Sequence, residues 1–282
     1  MITAVTAAMR RLLLVFVVVA LAVFGLGVWN AQQAPKVVRH AVVVPGLATR
    51  LHIVQLSDIH ASRIDMPPER LAAVVAQANA LKPDLIVLTG DYISGDPARW
   101  TMPEIAVALQ PLRALRAPLG VFASLGNHDD PARTMAALRG SAVRLLVGNS
   151  ADAGPVTIIG ADDLDRGSVA VEAMRDDIRE APPGKPVVVI AHEPTFFFWL
   201  QARPVLLLAG HTHGGQIDVP VIGGWPLDAY QRAHKRGLFH SGAQQMIVSS
   251  GIGTTALPIR FGVSPEIVLL TLYPGRNSGT DR

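Results

Sequence analysis

The chain contains no cysteine, so disulfides and thiolate metal ligands are both excluded. Any metal would have to be held by oxygen and nitrogen donors. The same absence suits the cytoplasm and an exported location alike, and it assigns no compartment. Charge is also sparse: 17% of the 282 residues are Asp, Glu, Lys or Arg, and the net charge is +3. No run of five or six basic residues occurs, so charge gives no sign of nucleic-acid binding, and none is expected. Internal repeats and low-complexity tracts are missing too. What is abundant is apolar side chain. Half the residues are hydrophobic, which excludes a disordered chain and is enough for one large domain or two small ones, each with a real core.

Part of that excess sits in one place. Leu12 to Trp29 is a stretch of 18 residues without a polar side chain. As a helix it would reach about 27 Å, close to the thickness of a bilayer core. Trp29 at its far edge is the kind of ring that favours the interface. A cleaved export signal has a shorter apolar core and small residues at −3 and −1 of the cut. Here Ala34 pairs with Gln32 and Ala31 with Trp29, so an uncleaved membrane anchor is the stronger expectation. Arg10-Arg11 also carries the twin-arginine element of some export signals, although its neighbours fit the wider pattern only partly. Arg10 and Arg11 lie on one side of the span, Lys36, Arg39 and Arg50 on the other. The balance is close; the orientation expected is amino terminus inside and domain outside the cytoplasm of a single-pass inner-membrane protein.

Ala31 to Gly46 reads as a linker leading into an extended segment, Val37–Val44. Beyond it, short apolar runs alternate with amphipathic stretches. Strands are expected at Leu51–Leu56, Asp84–Thr89, Gly120–Ser124, Val156–Gly160, Val187–Ala191 and Val205–Ala209. Helices are expected at Pro68–Leu81 and Pro103–Leu115, each opened by proline in its first turn, with shorter ones at Pro131–Arg139 and Ser168–Arg179. This alternation predicts an α/β core. Gln245–Ser249 and Pro265–Leu272 suggest a second sheet packed on the first. The expected organisation is an anchor and linker over 1–34, a catalytic domain over 35–274 and a flexible tail over 275–282.

Five segments share one character: an apolar run that ends in metal-ligand side chains. They are Ser57-Asp58-Ile59-His60, Gly90-Asp91, Gly126-Asn127-His128-Asp129, Ala191-His192-Glu193 and Gly210-His211-Thr212-His213, and they hold five of the nine histidines. Ligands of α/β sheets bind beyond the carboxyl ends of strands, so five strand-end loops would meet in one crevice. Asp58 and His60, two residues apart, can point the same way on extended backbone, as can His211 and His213. Mixed oxygen and nitrogen donors suit Mn, Fe or Zn. A carboxylate such as Asp91 can bridge two cations held at roughly 3.5–4 Å. Any one of these histidines alone is more readily a hydrogen-bonded structural residue; the set of five segments is what points to a metal site.

The ordered series Asp-Ile-His, Gly-Asp, Gly-Asn-His-Asp, His-Glu-Pro and Gly-His-Thr-His resembles the calcineurin-like metallophosphoesterase superfamily over roughly residues 50 to 272. Gly214-Gly215-Gln216 and the closing Gly251-Ile-Gly-Thr, Pro258-Ile-Arg and Pro265-Glu-Ile are similar to a bacterial branch of membrane-associated phosphodiesterases, which includes enzymes acting on a UDP-linked diacylglucosamine. The resemblance implies a four-layer α/β/β/α sandwich, here preceded by a transmembrane helix, and two divalent metal ions. Asp58, His60 and His213 would hold the first, Asn127, His192 and His211 the second, with Asp91 bridging. His128 would face the scissile phosphate and assist the leaving oxygen. A water activated between the cations would attack phosphorus in line. One departure is visible: many relatives carry a second Asp three residues after the bridging one, and here that residue is Ser94. The partner that orients His128 is therefore open. Asp129 is adjacent, but a turn-stabilising role suits it equally.

The substrate is less defined. Trp225, Pro226, Tyr230 and Phe239 cluster with Arg232, Lys235 and Arg236, as a loop gripping an anionic lipid head group would, or as an ordinary surface loop would. The reading is a phosphodiesterase acting on a phosphoester, with a membrane lipid or lipid-linked phosphate as the expected substrate. The alternatives are a UDP-2,3-diacylglucosamine pyrophosphatase-like hydrolase, then a scaffold that kept the fold and lost the chemistry. Oligomeric state is open.

Overall fold

The computed structural model describes residues 2–163, 167–200, 203–220, 223–224 and 227–275. The central strands are buried on both faces, and their period-two alternation sorts side chains between two different neighbours. In β2 (Leu51–Leu56) and β3 (Leu85–Thr89), Leu51, Ile53, Leu85 and Val87 face one core, while Val54, Leu56, Ile86 and Leu88 face another. The same division recurs in β8 (Val187–Ile190) and β9 (Val205–Ala209). There Val188, Ile190, Leu206 and Leu208 join the core shared with β2 and β3, and Val187, Val189, Val205 and Leu207 turn outward. A sheet apolar on both sides must be covered twice.

The result is α/β/β/α. One six-stranded sheet runs β1 (Lys36–Pro45), β12 (Glu266–Gly275), β2, β3, β4 (Val121–Ser124), β5 (Val143–Leu145). The other runs β10 (Gly237–Ser241), β11 (Gln244–Val248), β9, β8, β7 (Val156–Gly160), β6 (Asn149–Ala153). Helices α2 (Pro68–Ala80), α3 (Met102–Leu109) and α4 (Pro131–Leu138) cover the first sheet, and α5 (Ser168–Glu180) covers the second. A fifth short helix of the domain, α6 (Ala229–Ala233), precedes β10. In α2 the buried residues Leu71, Val74, Val75 and Ala78 follow the i, i+3, i+4, i+7 stripe of a one-faced helix. Asp130 caps α4 by accepting a hydrogen bond from the Arg133 N–H at 2.8 Å.

Two expectations are corrected. The helix read over Pro103–Leu115 stops at Leu109 and continues as a 3-10 turn over Gln110–Ala114, because Pro111 has no N–H to give and crowds the carbonyl four residues back. The late strands do not form a sheet of their own. Strand β12 inserts between β1 and β2 of the first sheet, while β11 pairs with β9 of the second. Alternation tells which face a residue takes but not which strand it will pair with. The segment 249–265 between them therefore crosses from one sheet to the other. Strand β12 extends to Gly275, one residue past the expected end of the domain. The rest of the expected tail lies outside the described residues.

Ahead of the sandwich stands α1 (Ile2–Ala31), whose segment Met9–Ala31 has a mean hydropathy of 2.9 and is almost wholly exposed. It is long and apolar enough to span a membrane. Between the sheets, truncation of a buried leucine leaves a void that close-packed neighbours fill only in part. Leu270→Ala should cost about 2–5 kcal/mol, measured as a fall in the denaturant midpoint with the slope unchanged.

Candidate metal centre

Strands β2, β3 and β4 are parallel in one sheet, and β8, β9 and β11 are parallel in the other. Their carboxyl ends meet at one end of the sandwich. Backbone bonds lace the loops together there: Asp58 N–H to Gly90 C=O at 3.2 Å, His60 N–H to Asp91 C=O at 2.9 Å, Gly210 N–H to His192 C=O at 2.8 Å, and Gly253 N–H to Asp58 C=O at 2.7 Å. Gln55, buried between the sheets, donates to the Ala209 carbonyl at 2.8 Å and so ties the two together just below the site.

The side chains converge as the strand-end pattern predicts. Asp58 Oδ1 lies 3.4 Å from His213 Nε2, His213 Nε2 3.1 Å from His60 Nε2, and His60 Nε2 3.2 Å from Asp91 Oδ2. The same Asp91 oxygen is 3.3 Å from His192 Nε2. The His192 ring stands edge-on to that of His211, centroids 5.0 Å apart, and His211 Nδ1 is 3.1 Å from Asn127 Oδ1. All seven expected ligands thus fall in one continuous cluster. Among the described residues, Asp58, His60, Asp91 and His213 offer ligand atoms all within 4.8 Å of one another, and all four are buried.

The donor set fits divalent cations. Carbonyl oxygens only accept, so the 2.8 Å contact between His192 Nδ1 and the Thr89 carbonyl places the proton on Nδ1 and leaves Nε2 free toward Asp91. That Nε2 is buried without a hydrogen-bond partner, as are Nδ1 of His60 and Nδ1 of His213. Leaving the His192 nitrogen unpaired costs about 1–3 kcal/mol, and a cation coordinated there would offset part of it. The four-residue cluster has the donors to coordinate two divalent ions. Space is kept for the carboxylates by glycine. A Cβ on Gly126 would stand 2.3 Å from Asp91 Oδ1, and one on Gly210 would stand 2.4 Å from Asp58 Oδ2. Strain also gathers here. Eight non-glycine residues among those described have positive φ, and five of them are Asp58, His60, Asp91, His211 and His213.

The local field is set by burial and by opposite charges at short range. Burial opposes the charge on Asp91, but His192 and His60 overcome it and hold the carboxyl well below its ordinary value. Burial likewise opposes a proton on His192, yet Asp91 pushes it up to about 10, and His60 is raised for the same reason. Burial and the neighbouring His192 lower His211 to about 3. Burial, with His60 and Arg260, keeps His213 well below its usual range.

His128 and Asp129 resolve the question left by Ser94. The Asp129 carboxylate accepts three backbone N–H bonds, from Asp91 at 2.7 Å, Tyr92 at 2.9 Å and Gly126 at 2.8 Å. It staples the β3 and β4 loops together and does not orient His128. Burial and the Asp91 charge push it up to about 7 against those donors. The contact that orients His128 is the Gly95 carbonyl, 3.2 Å from Nδ1. This places the proton on Nδ1 and leaves Nε2 as the free nitrogen.

Arg260, fully buried, was not singled out by the sequence beyond its Pro-Ile-Arg setting. Its guanidinium donates to the Gly253 carbonyl at 2.6 Å, Ser250 at 2.8 Å and His213 at 3.5 Å. Burial lowers it to about 10, so it stays charged near neutrality. The only signal available in the sequence was a lone cation in an apolar run. The aromatic and basic cluster is more fully engaged than a grasping loop would be. Tyr230 stacks between Phe198 and His234, ring centroids 4.1 Å from each, and Phe239 follows at 4.8 Å from His234. Lys235 and Arg236 both pair with Asp218. Trp225 and Pro226 lie outside the described residues.

A family model described as calcineurin-like phosphoesterase matches residues 51–215. The chain belongs to the calcineurin-like phosphoesterases. An uncharacterized metallophosphoesterase of Bacillus subtilis, YkuE, is 34% identical over 230 residues, 78% of this chain and 78% of that protein. A bovine transmembrane protein with metallophosphoesterase domain is 30% identical over 290 residues, covering 94% of this chain and 63% of its own length. Phosphodiesterase YaeI of Escherichia coli is 28% identical over 247 residues, 80% and 83% of the two chains. Family and buried cluster together make this phosphoesterase a metal-dependent hydrolase.

A pH dependence follows from the charges. In the metal-free protein His192, pushed up to about 10 beside Asp91, holds a proton at pH 7, and His60 is shifted in the same direction; a ligating nitrogen must release its proton. Metal uptake at pH 7 should therefore liberate protons, and apparent affinity should rise as pH rises. Calorimetric titration with Mn²⁺ in two buffers of different ionisation enthalpy measures the number released. Equal heats in both would contradict the assignment.

Proposed function

We propose that this phosphoesterase is a two-metal phosphodiesterase, tethered by α1 and acting on a membrane lipid or lipid-linked phosphate. The observation that carries the two-metal reading is the position of Asp91. One of its oxygens sits 3.2 Å from His60 Nε2 and 3.3 Å from His192 Nε2, with one imidazole from each sheet. Asp58, His60 and His213 are assigned to one cation, Asn127, His192 and His211 to the other, and Asp91 to both. Bound divalent cations supply charge that neutralises phosphate oxygens and makes water nucleophilic near neutral pH. The remaining work falls to the chain. The strand-end loops fix the reacting phosphate by position. His128, its ring edge-on to His60 with centroids 5.4 Å apart, is held at Nδ1 by the Gly95 carbonyl, so that in the doubly protonated ring the Nε2–H is the proton given to the leaving oxygen.

The lipid reading rests on what borders the metals. A cavity of about 480 Å³ runs from His211 and His213 along Ile217, Leu227, Ala256 and Leu257. A small hydrophilic ester would leave such a wall unused, whereas an acyl or prenyl chain would cover it. The names carried by two relatives, a phosphodiesterase and a transmembrane protein, agree with this reading. Residues 1–34 are taken as anchor and linker, the domain that follows as catalytic, and the inner membrane with the domain outside the cytoplasm as its place.

Three measurements test the assignment. The purified chain loaded with Mn²⁺ should hydrolyse phosphodiesters, and faster when the ester carries an apolar tail. Turnover of monoesters alone would overturn the diester reading, and turnover of UDP-linked diacylglucosamine alone would favour the pyrophosphatase. Asp91→Asn should lower bound metal below two per chain and cut activity by orders of magnitude, since the bridging charge is lost. His128→Ala should keep both metals and lose about 10²–10⁴-fold in turnover, most for poor leaving groups. Loss of metal in that variant would make His128 a ligand.

A further inference from the structure

The last turn of α1 does not project freely from the domain. Gly27 is buried, and a Cβ there would stand 2.6 Å from the Phe261 ring and 2.9 Å from Ile259 Cβ. The Arg260 N–H donates to the Gly27 carbonyl at 3.0 Å, and the Asn30 side chain donates to the Arg260 carbonyl at 3.3 Å. On the other side, Arg70 donates to the Ala31 carbonyl at 2.6 Å and also to the carbonyl of Asp65. The helix end is therefore gripped directly by the loop that follows Gly253, and by Arg70 in the first turn of α2, which ties it to the carbonyl of Asp65 in the loop that follows His60.

The length of the helix fixes where those loops lie. Met9–Ala31 contains 23 residues, about 34 Å of helix against a hydrocarbon core of about 30 Å. Almost nothing is left over, so residues packed on Gly27 and Ala31 are held at headgroup depth. Trp29, 60% exposed, is placed as interfacial aromatics are. The same two loops carry exposed apolar side chains, Ile64 at 77% and Leu257 at 51%. Both border a cavity of about 380 Å³ that opens beside Ser62 and Thr254, and Leu257 also lines the larger cavity at His211 and His213.

We propose that Ile64 and Leu257 seat on the bilayer, so that the cavity beside His211 and His213 opens at the lipid–water interface and not toward bulk water. This rests on reading α1 as an uncleaved anchor. Its basis is continuity: the exposed apolar rim adjoins the one helix, among the described residues, that is long and apolar enough to be in lipid. Docking of that helix leaves the domain little freedom to turn the rim away. The consequence concerns access, since a substrate whose tail lies in the bilayer would reach the metals by lateral entry.

The lack of cysteine makes the test direct, because a single introduced thiol labels one position. Val18→Cys, Ile64→Cys, Leu257→Cys and Val169→Cys are made in the full chain, coupled to an environment-sensitive nitrobenzoxadiazole fluorophore and reconstituted in phosphatidylcholine–phosphatidylglycerol vesicles. Val169 is 72% exposed on α5, over the far sheet. The expected result is blue-shifted emission, quenched by spin-labelled lipid, at 18, 64 and 257, with an unshifted, unquenched signal at 169. A lipid signal at 18 with either 64 or 257 as aqueous as 169 overturns the inference alone. An aqueous signal at 18 overturns the anchor and the inference with it. A lipid signal at 169 as well would mean that no particular face is seated, and also overturns it.

Discussion

One carboxylate oxygen, Asp91 Oδ2, lies between an imidazole of the β2 loop and an imidazole of the β8 loop. Much of the molecule is arranged to keep it there. The Asp91 backbone takes a left-handed turn after Gly90. Its N–H is held by Asp129, and its other oxygen accepts the His128 N–H at 2.9 Å. Gly126 leaves the gap into which that oxygen fits. Each device would be purposeless around a neutral side chain. Around a shared anion they fix both its position and its direction. The bridging role proposed for Asp91 would need both to be fixed.

Such a centre is expensive in isolation. Five proposed ligands sit in left-handed backbone, a strain of about 1–3 kcal/mol each, which together is on the order of the whole net stability of a domain. Two buried carboxylates add desolvation, partly offset by the histidines around them. The cost is sustained by the four layers beneath. Strands buried on both faces are held by an inter-sheet core and two outer ones, and the strained residues lie just past the strands' ends, where no ladder bonds need be given up. The loops then bond mainly to one another.

The first and last parts of the chain come together at this end of the sandwich. Strand β1 pairs with β12 at the sheet edge, and Arg260 is contacted through its backbone by α1 while its guanidinium holds the carbonyls of Ser250, Gly253 and His213. The arginine thus joins the end of an apolar helix to the loop of His213, one of the proposed metal ligands. Buried, it is stabilised by carbonyl dipoles and keeps its charge.

Much of the side-chain cluster proposed as the metal centre was legible in the sequence, and the reason is local. A strand followed by a polar, glycine-containing turn is a short-range pattern. Asp58, His60, Asp91, Asn127, His192, His211 and His213 each end an apolar run that alternation alone identifies. Such runs in α/β proteins present their carboxyl ends to ligands, so identity and approximate meeting place followed together. The α/β class and the apolar helix were legible for the same reason. What required the folded chain depends on residues far apart in sequence: the insertion of β12 into the first sheet, Asp129 as a staple for Asp91 and Tyr92, and the Gly95 carbonyl on His128. The grip of Phe261 and Ile259 on Gly27 is of the same kind. Strand partners are chosen by packing between distant segments. A backbone carbonyl has no letter of its own, so its role as a partner appears only when the chain has brought it within hydrogen-bond distance.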